Sequence, residues 1–426
     1  MSKSIFDLDE FKPYARQFMA RRSRAARYWR YYKAEAYNNP QNGSPMGQFV
    51  LSRIADATRP LFTPLARAVN LDVALIPGGW QLAATASQHQ DAMDVLFRES
   101  AWPVEGDLFV KYVASMGEAA LYISDERVSK RLRLQSLRPD AYLVVPAGRY
   151  DPTPALAILL TAGTDEKGDV TEEATILQPN LVRTYVNGEP KGVDGRSPQY
   201  TNALGFVPIV ECKNDPGDGA GEPTFDDAIA SLNQVNIQAT HLANIIQKHV
   251  EPQWAAFGAE AGDLQKSGDL VWFFPEGSDV KAVLAAVDFD GVLKFIQEIK
   301  SEVKDSLPEL SLSKLVGVER VAAATIELQM AEAVFKIRRM RKPVDLAVAD
   351  ALRLAGRVAA DIGRPDLAAL NDPTLAFDAD RPVIGMDALT RLQIESASQT
   401  TAMSRLAFER EQMLIAGQQG KETPDA

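Results

Sequence analysis

The chain is poor in the residues that most often carry chemistry. It has one cysteine and three histidines in 426 residues. A lone cysteine excludes an intrachain disulfide and any thiolate zinc site. Cys212 lies inside an apolar run, which predicts a buried, inert thiol. His89, His241 and His249 show no HExxH spacing and predict no metal site. No GxSxG elbow and no Ser-His-Asp or Cys-His set is present. Asp288-Phe289-Asp290-Gly291 lacks the Gly-rich loop, VAIK and HRD motifs that would accompany a kinase site. The loop NDPGDGAGEP (214–223) has neither the Lys-Ser/Thr of a P-loop nor dinucleotide spacing, so it predicts a turn-rich linker. The expectation is a non-enzyme with no catalytic residue, no cofactor and no bound metal.

Long apolar runs are also missing. The longest, 155–162, is too short to span a bilayer. The opening MSKSIFDLDEF is acidic where a secretory signal would have an apolar core. These features predict a soluble protein made in a reducing cytoplasm, with no membrane partner. Composition is otherwise that of a folded protein, 46% hydrophobic and 24% charged, and the length calls for more than one structural region. The net charge of −11 argues against sequence-independent DNA binding over the whole surface. Residues 1–33 hold nine Lys/Arg against three Asp/Glu, so the rest of the chain carries −17.

The first 117 residues read as helical. The segment 5–35, with RRSRAARYWRYYKAEAYNNP, ends at an Asn-Asn-Pro breaker. Its arginines either cover neighbouring apolar surface or meet nucleic acid or a partner. Residues 47–72 continue in helix with interruptions at Pro60 and Pro64, and 87–117 forms another helical region. From 118 to 212 the period changes to that of strands. ALYIS, YLVVP, ATILQ, LVRTYV and LGFVPIVEC, with turns at Asn187-Gly188 and Asp194-Gly195, predict one antiparallel sheet region. Pro208 places the last strand (204–212) at an edge or bulge.

The most informative stretch is 201–317. A helix over 225–250 has an apolar stripe of Phe225, Ile229, Leu232, Val235, Ala239, Leu242, Ile245 or Ile246, and His249. Thr224 is its expected N-cap, with Asp226 and Asp227 in the first turn. Its other face carries uncharged amides: Asn233, Gln234, Asn236, Gln238, Asn244 and Gln247. That face suits another subunit, a narrow wet passage or plain solvent. An aromatic, extended insert (252–287, with QWAAFG and DLVWFFPEG) leads to a helix over 288–307 with Val292, Phe295, Ile296, Ile299 and Val303 on one side. The helix breaks at Pro308, and PELSLSKLVG closes the unit. A helix over 318–342 ends in KIRRMRK before Pro343, cations favoured by the helix dipole. Further helices are expected at 344–363 and 386–416, separated by LAFDADRPVI, and the tail should be disordered.

The order of these elements resembles the portal proteins of tailed bacteriophages, the head-to-tail connectors. ARYWRYYKAEAY resembles the family's opening helix. LFRESAWPVEGDLFVKYVASMGEAALYISDE resembles its helix and Met-Gly turn into the first strands. TNALGFVPIVECKN resembles its Gly-Phe-x-Pro strand. FDDAIASLNQVNIQATHLANIIQKHVEPQWAAFG resembles the helix that leads into the next insert. The resemblance covers about residues 25–345. Where the family has a Ser-Gly step after its loop, this chain has GVERVAAATIE.

The resemblance implies an α+β, mostly helical fold with wing, stem, clip and small crown. The wing would be 1–215, helical over 1–117 and β-rich over 118–215. Residues 216–250 would be a loop and the first stem helix, 251–287 the clip, and 288–307 the second stem helix. The tunnel loop would be 308–317, the wing helices and returning strand 318–385, and the crown helix and tail 386–426. Pro308, Glu309, Leu310, Ser311 and Lys314 would face DNA. The six amides would form the stem interface or channel face, and Trp254, Trp272, Phe273 and Phe274 the clip contacts. The implied assembly is a homo-oligomeric ring of about twelve chains at one capsid vertex of the virion, built in the host cytoplasm. Its implied partners are double-stranded DNA passing during packaging and ejection, terminase, major capsid and scaffold proteins, and head-completion or tail adaptor proteins. Lys314 either touches DNA or is a plain loop lysine. The competing readings are a different oligomeric virion protein, such as a head–tail adaptor, and an enzyme of unrecognised type.

Overall fold

The computed structural model describes residues 4–37, 62–77, 80–83, 87–126, 129–164, 170–192, 197–215, 219–250, 253–257, 279–283, 288–310, 331–379, 381 and 383. The fold is α+β. Two compact units divide the chain: Met1–Lys33, Pro64–Asp226 and Leu307–Ala426 form the first, and Ala34–Thr63 with Asp227–Ser306 form the second.

The first unit contains the helices α1 (Lys12–Tyr32), α2 (Leu65–Leu75), α3 (Ser87–Glu99) and α4 (Trp102–Met116). The region expected as one helical stretch over 87–117 is therefore two helices. Ser100 turns its hydroxyl to the Leu96 carbonyl and accepts from the Leu134 amide, and Ala101 follows in the left-handed region at φ 51°. Pro103 then opens α4, where a missing N–H is harmless.

Among the described residues nine strands follow: β1 (Glu118–Glu126), β2 (Arg131–Leu137), β3 (Tyr142–Pro146), β4 (Pro154–Thr164), β5 (Val170–Leu177), β6 (Leu181–Val186), β7 (Glu189–Pro190), β8 (Gln199–Thr201) and β9 (Ile209–Lys213). They make two antiparallel sheets within the antiparallel region expected. One has the order β2-β1-β9; the other runs β3-β4-β5-β6-β7, with β8 also paired to β6. The reason is visible in the alternation along β3 and β4. Leu143, Leu156 and Ile158 face a core shared with Ile5, Phe11 and Phe18 of the N-terminal segment. Their neighbours Tyr142, Val144, Ala157 and Leu159 face a second core that holds Ala120 and Ile209 of the three-stranded sheet. A strand buried on both faces reads as a continuous apolar run, and this accounts for 155–162. The β6–β7 turn is Asn187-Gly188, both at positive φ (52° and 76°), as a two-residue hairpin of the type I′ kind requires. β9 starts just after Pro208 and is an edge strand, as expected from that proline.

α4 enters β1 through Gly117 at φ 84°. A Cβ on Gly117 would lie 2.3 Å from the Gly221 carbonyl oxygen, and one on Gly221 would lie 1.9 Å from that of Gly117. Only two glycines permit this approach, and it presses the backbone at Gly221 against the α4 terminus. Asn214 completes the seal: its N–H donates to the Gly117 carbonyl and its side-chain amide to that of Glu222.

The helix α7 (Ala331–Ile362) packs on the three-stranded sheet and is followed by the short α8 (Pro365–Ala368). α7 runs through Pro343, where the sequence predicted a boundary. Pro343 supplies no N–H to the Arg339 carbonyl. Burial of Val334, Ile337, Met340, Val344, Val348 and Leu352 along one side of both halves outweighs that loss.

The second unit contains α5 (Ala228–Val250), the antiparallel pair β10 (Gln253–Phe257) and β11 (Asp279–Val283), and α6 (Phe289–Asp305), which packs against α5. Thr224 does not cap α5, which starts four residues later; its N–H donates instead to the Ala114 carbonyl at 2.9 Å, within the first unit. The helix expected over 386–416 and the segment 311–330 lie outside the described residues.

Candidate functional surface

α5 buries Ile229, Leu232, Val235 and Leu242, and α6 buries Ile296, Ile299 and Val303. Steps of three and four make each set a single stripe, and these stripes hold the second unit together. Asp288 caps α6 by accepting from the Gly291 amide at 3.0 Å. Phe295 is a correction. It was expected inward with Ile296, yet it is 42% exposed, beside Leu293 at 46%. Adjacent helical residues point about 100° apart, and the Ile296-Ile299-Val303 stripe takes only one of them. Ile246 of α5 is 47% exposed as well.

The amide row divides. Gln234 is exposed, and Asn233 and Gln238 are half-buried. The side chains of Asn244 and Gln247 lie outside the description. Asn236 is another correction: it is completely buried and belongs to no outer face. Its Oδ1 accepts from the Phe62 amide at 2.8 Å, and its Nδ2 donates to the Phe62 carbonyl at 3.1 Å. A primary amide offers one acceptor and a donor side by side, so it matches both polar groups of one backbone residue. Lys300 Nζ sits 4.8 Å from the Phe62 ring centroid, a cation–π contact on the same residue. The sequence offered Asn236 as one amide among six; nothing in its spacing marked it as the clamp.

Past α6, residues 308–310 form a 3-10 turn. Pro308 and Leu310 are half-buried there, but Glu309 is wholly buried. Both its oxygens accept from Lys336 Nζ at 3.0 Å. Glu309 is thus spent inside the first unit and is not offered to a passing polyanion, contrary to expectation. Ser311 and Lys314 lie outside the described residues. Asp72 of α2 belongs to the same cluster. Burial, and then the negative charge of Glu309, push its carboxyl up to about 8, against the pull of Lys336 and a hydrogen bond from Thr224. Trp254 is placed by its backbone alone, opposite Ala282 in the β10–β11 pair. Trp272, Phe273 and Phe274 lie outside the described residues.

The basic N-terminal helix commits two of its cations internally. Arg21 donates to Tyr142 Oη at 2.6 Å and Glu211 Oε1 at 2.9 Å, and its Nε lies 3.0 Å from Glu118. Arg24 donates to Glu118 Oε1 at 2.7 Å. These bonds tie α1 to strands of both sheets. The KIRRMRK cluster is not at a helix end, as the sequence suggested. Arg341 is buried in mid-helix and donates to the carbonyls of Leu75, Ile76 and Arg381 at 2.8, 3.0 and 3.0 Å. Cys212 is buried, and burial followed by the nearby Asp345 pushes its thiol far above the ordinary range, which suits an inert side chain.

Among the described residues no group of three His, Cys, Asp or Glu side chains could hold a metal ion. No described helix is long and apolar enough to cross a membrane.

Comparison with protein-family models finds no match, and comparison with curated proteins finds none. Among solved structures, the chain is similar to one from the neck of an empty gene transfer agent particle. Identity there is 16%, 85% of this chain and 87% of that one are covered, and the TM-score is 0.39. A chain of the virion of the native gene transfer agent particle gives 16% identity, the same coverage and a TM-score of 0.38. A portal protein of an HK97-family phage from Corynebacterium diphtheriae gives 14% identity, 76% and 95% coverage, and a TM-score of 0.30.

Proposed function

We propose that this protein is a portal-type connector subunit of a phage-like particle, acting as a ring of identical chains around a DNA passage. The observation that carries the reading is the second unit. A helix pair joined through a two-stranded β element leaves Leu293, Phe295 and Ile246 exposed on a single chain. A head-to-tail contact between copies would cover such side chains, and a contact of that kind closes into a ring. The four sequence stretches that resemble portal proteins supply the family. In this reading α5 and α6 are the stem, 251–287 the clip that docks terminase and later adaptor proteins, and 308–317, which includes Ser311 and Lys314, the loop nearest DNA. The remainder forms wing and crown.

The chemistry is that of a passage that does not grip. Gln234, Gln238 and Asn233 offer hydrogen bonds without charge, whereas a row of lysines would hold phosphates and displace their counterions. The exposed flank of α6 mixes Lys294, Glu298, Glu302 and Lys304, which favours neither binding nor strong repulsion. Mass photometry of the purified chain tests the assembly. The wild type should give one species of about twelve times the 46.6 kDa chain. The double variant Leu293→Ser, Phe295→Ser should fall to the mass of one chain while keeping its helical circular dichroism. A wild-type monomer sinks the ring. A ring that survives the double substitution removes Leu293 and Phe295 from the contact.

A further inference from the structure

The groove along the middle of α7 belongs to none of the surfaces above. It lies between α7 and the segment 375–379, has a volume of about 300 Å³, and is floored by Leu346, Ala349, Leu375 and Phe377. Its other lining side chains include Arg338, Arg341, Lys342 and Arg353, against one carboxylate, Asp345. That carboxylate is already engaged: both its oxygens accept from Arg381, at 2.6 and 2.8 Å. Arg341 is turned inward on its three carbonyls, and Arg353 donates to Asp350 and to the Leu375 carbonyl, so the outer rim is made by Arg338 and Lys342. Phe335, Arg338, Lys342 and Leu346 follow at steps of three, four and four, one continuous face of the helix. Its apolar ends stand out, with Phe335 72% and Leu346 60% exposed.

We propose that this face of α7 is a docking groove for an acidic peptide segment of a partner protein, which seats one aliphatic or aromatic side chain on the Leu346–Phe377 floor. The charge pattern selects the occupant. On a chain of net charge −11, an apolar floor rimmed by cations is a local reversal of sign. It attracts a short anionic segment within roughly 8–10 Å, the screening length at physiological salt. A long polyanion such as DNA would also meet the net negative charge of the rest of the chain. Nucleic acid has no need of an apolar floor either, whereas a helix or extended peptide anchored by one buried side chain does.

The test is fluorescence anisotropy with the full chain and a labelled peptide of about twelve residues, glutamate-rich with one central phenylalanine. Binding should saturate and should weaken about tenfold or more in Lys342→Glu, in Leu346→Ser, and with serine in place of the peptide's phenylalanine. Both substitutions are at exposed positions. Failure of the peptide to saturate overturns the proposal. So does a labelled oligothymidylate that binds as well and is indifferent to Leu346→Ser, which would make the face a nucleic-acid contact. If sedimentation shows self-association that Leu346→Ser abolishes, the occupant is a second copy and the partner peptide is excluded.

Discussion

The two units secure a crossing segment of chain by different chemistry. In the first, the buried guanidinium of Arg341 binds three backbone carbonyls, two of them, Leu75 and Ile76, at the C-terminal end of α2. The last carbonyls of a helix lack intrahelical donors and carry its negative dipole end. A cation there satisfies both needs at once, and a guanidinium can serve three acceptors in a fixed plane. In the second, the neutral amide of Asn236 binds the N–H and C=O of one residue, Phe62. The charged clamp joins α2 and residue 381 to α7; the neutral clamp reads the register of a single strand of chain. A charge is worth burying where several acceptors converge, and an amide suffices where one residue must be held.

The comparison predicts unequal losses. Arg341→Ala leaves three carbonyls without their donor and should cost about 3–5 kcal/mol. Urea denaturation followed by near-ultraviolet circular dichroism measures it. Arg341→Lys should recover only part of that, because an ammonium lacks the planar fork. Equal stability of the lysine variant and the wild type would show that charge alone matters at this site.

Asn236→Ala should cost less, about 1–3 kcal/mol, because it strips one donor and one acceptor from a neutral pair. Hydrogen exchange gives a local reading. The Phe62 amide should lose protection in the variant while amides of β1 and β9 keep theirs. Unchanged exchange at Phe62 would mean that the amide clamp does not hold this segment.

These clamps also show where the sequence could be read and where it could not. The periodicities of α5 and α6, the edge strand after Pro208 and the Asn187-Gly188 hairpin were legible because each is a local pattern with a local cause. The split into two sheets was not, since strands buried on one or both faces differ only in what lies across from them. Arg341 looked like a helix terminus because Pro343 follows it; tertiary burial on both sides of the proline decided otherwise. Asn236 looked like a surface residue because polar side chains at helical spacing usually are, and Glu309 because the resemblance to portal proteins put it in a loop facing DNA. Their partners, Phe62 and Lys336, lie 174 and 27 residues away, beyond any spacing rule. Of the site predicted from the sequence, the helix pair was visible, while the side chains offered outward were partly misassigned.

A pH-dependent effect is expected at another buried group of the first unit. Asp72 is buried with one oxygen that has no hydrogen-bond partner, and Glu309 and Asp72 share the single cation Lys336. Folding raises the Asp72 carboxyl from its ordinary 3.8 to about 8, so between those values the folded chain holds a proton that the unfolded chain releases. Stability from this group is therefore complete below about pH 4 and is lost as pH rises through about 8. Asp72→Asn keeps the shape and the acceptor for Thr224 but cannot ionise. At about pH 9 it should be more stable than the wild type, and its stability should be flatter between about pH 4 and 8, where the wild type loses this contribution. Denaturant midpoints at pH 6.5 and 9 measure the difference. A variant no more stable than the wild type at pH 9 would show that Lys336 supports both carboxylates as anions.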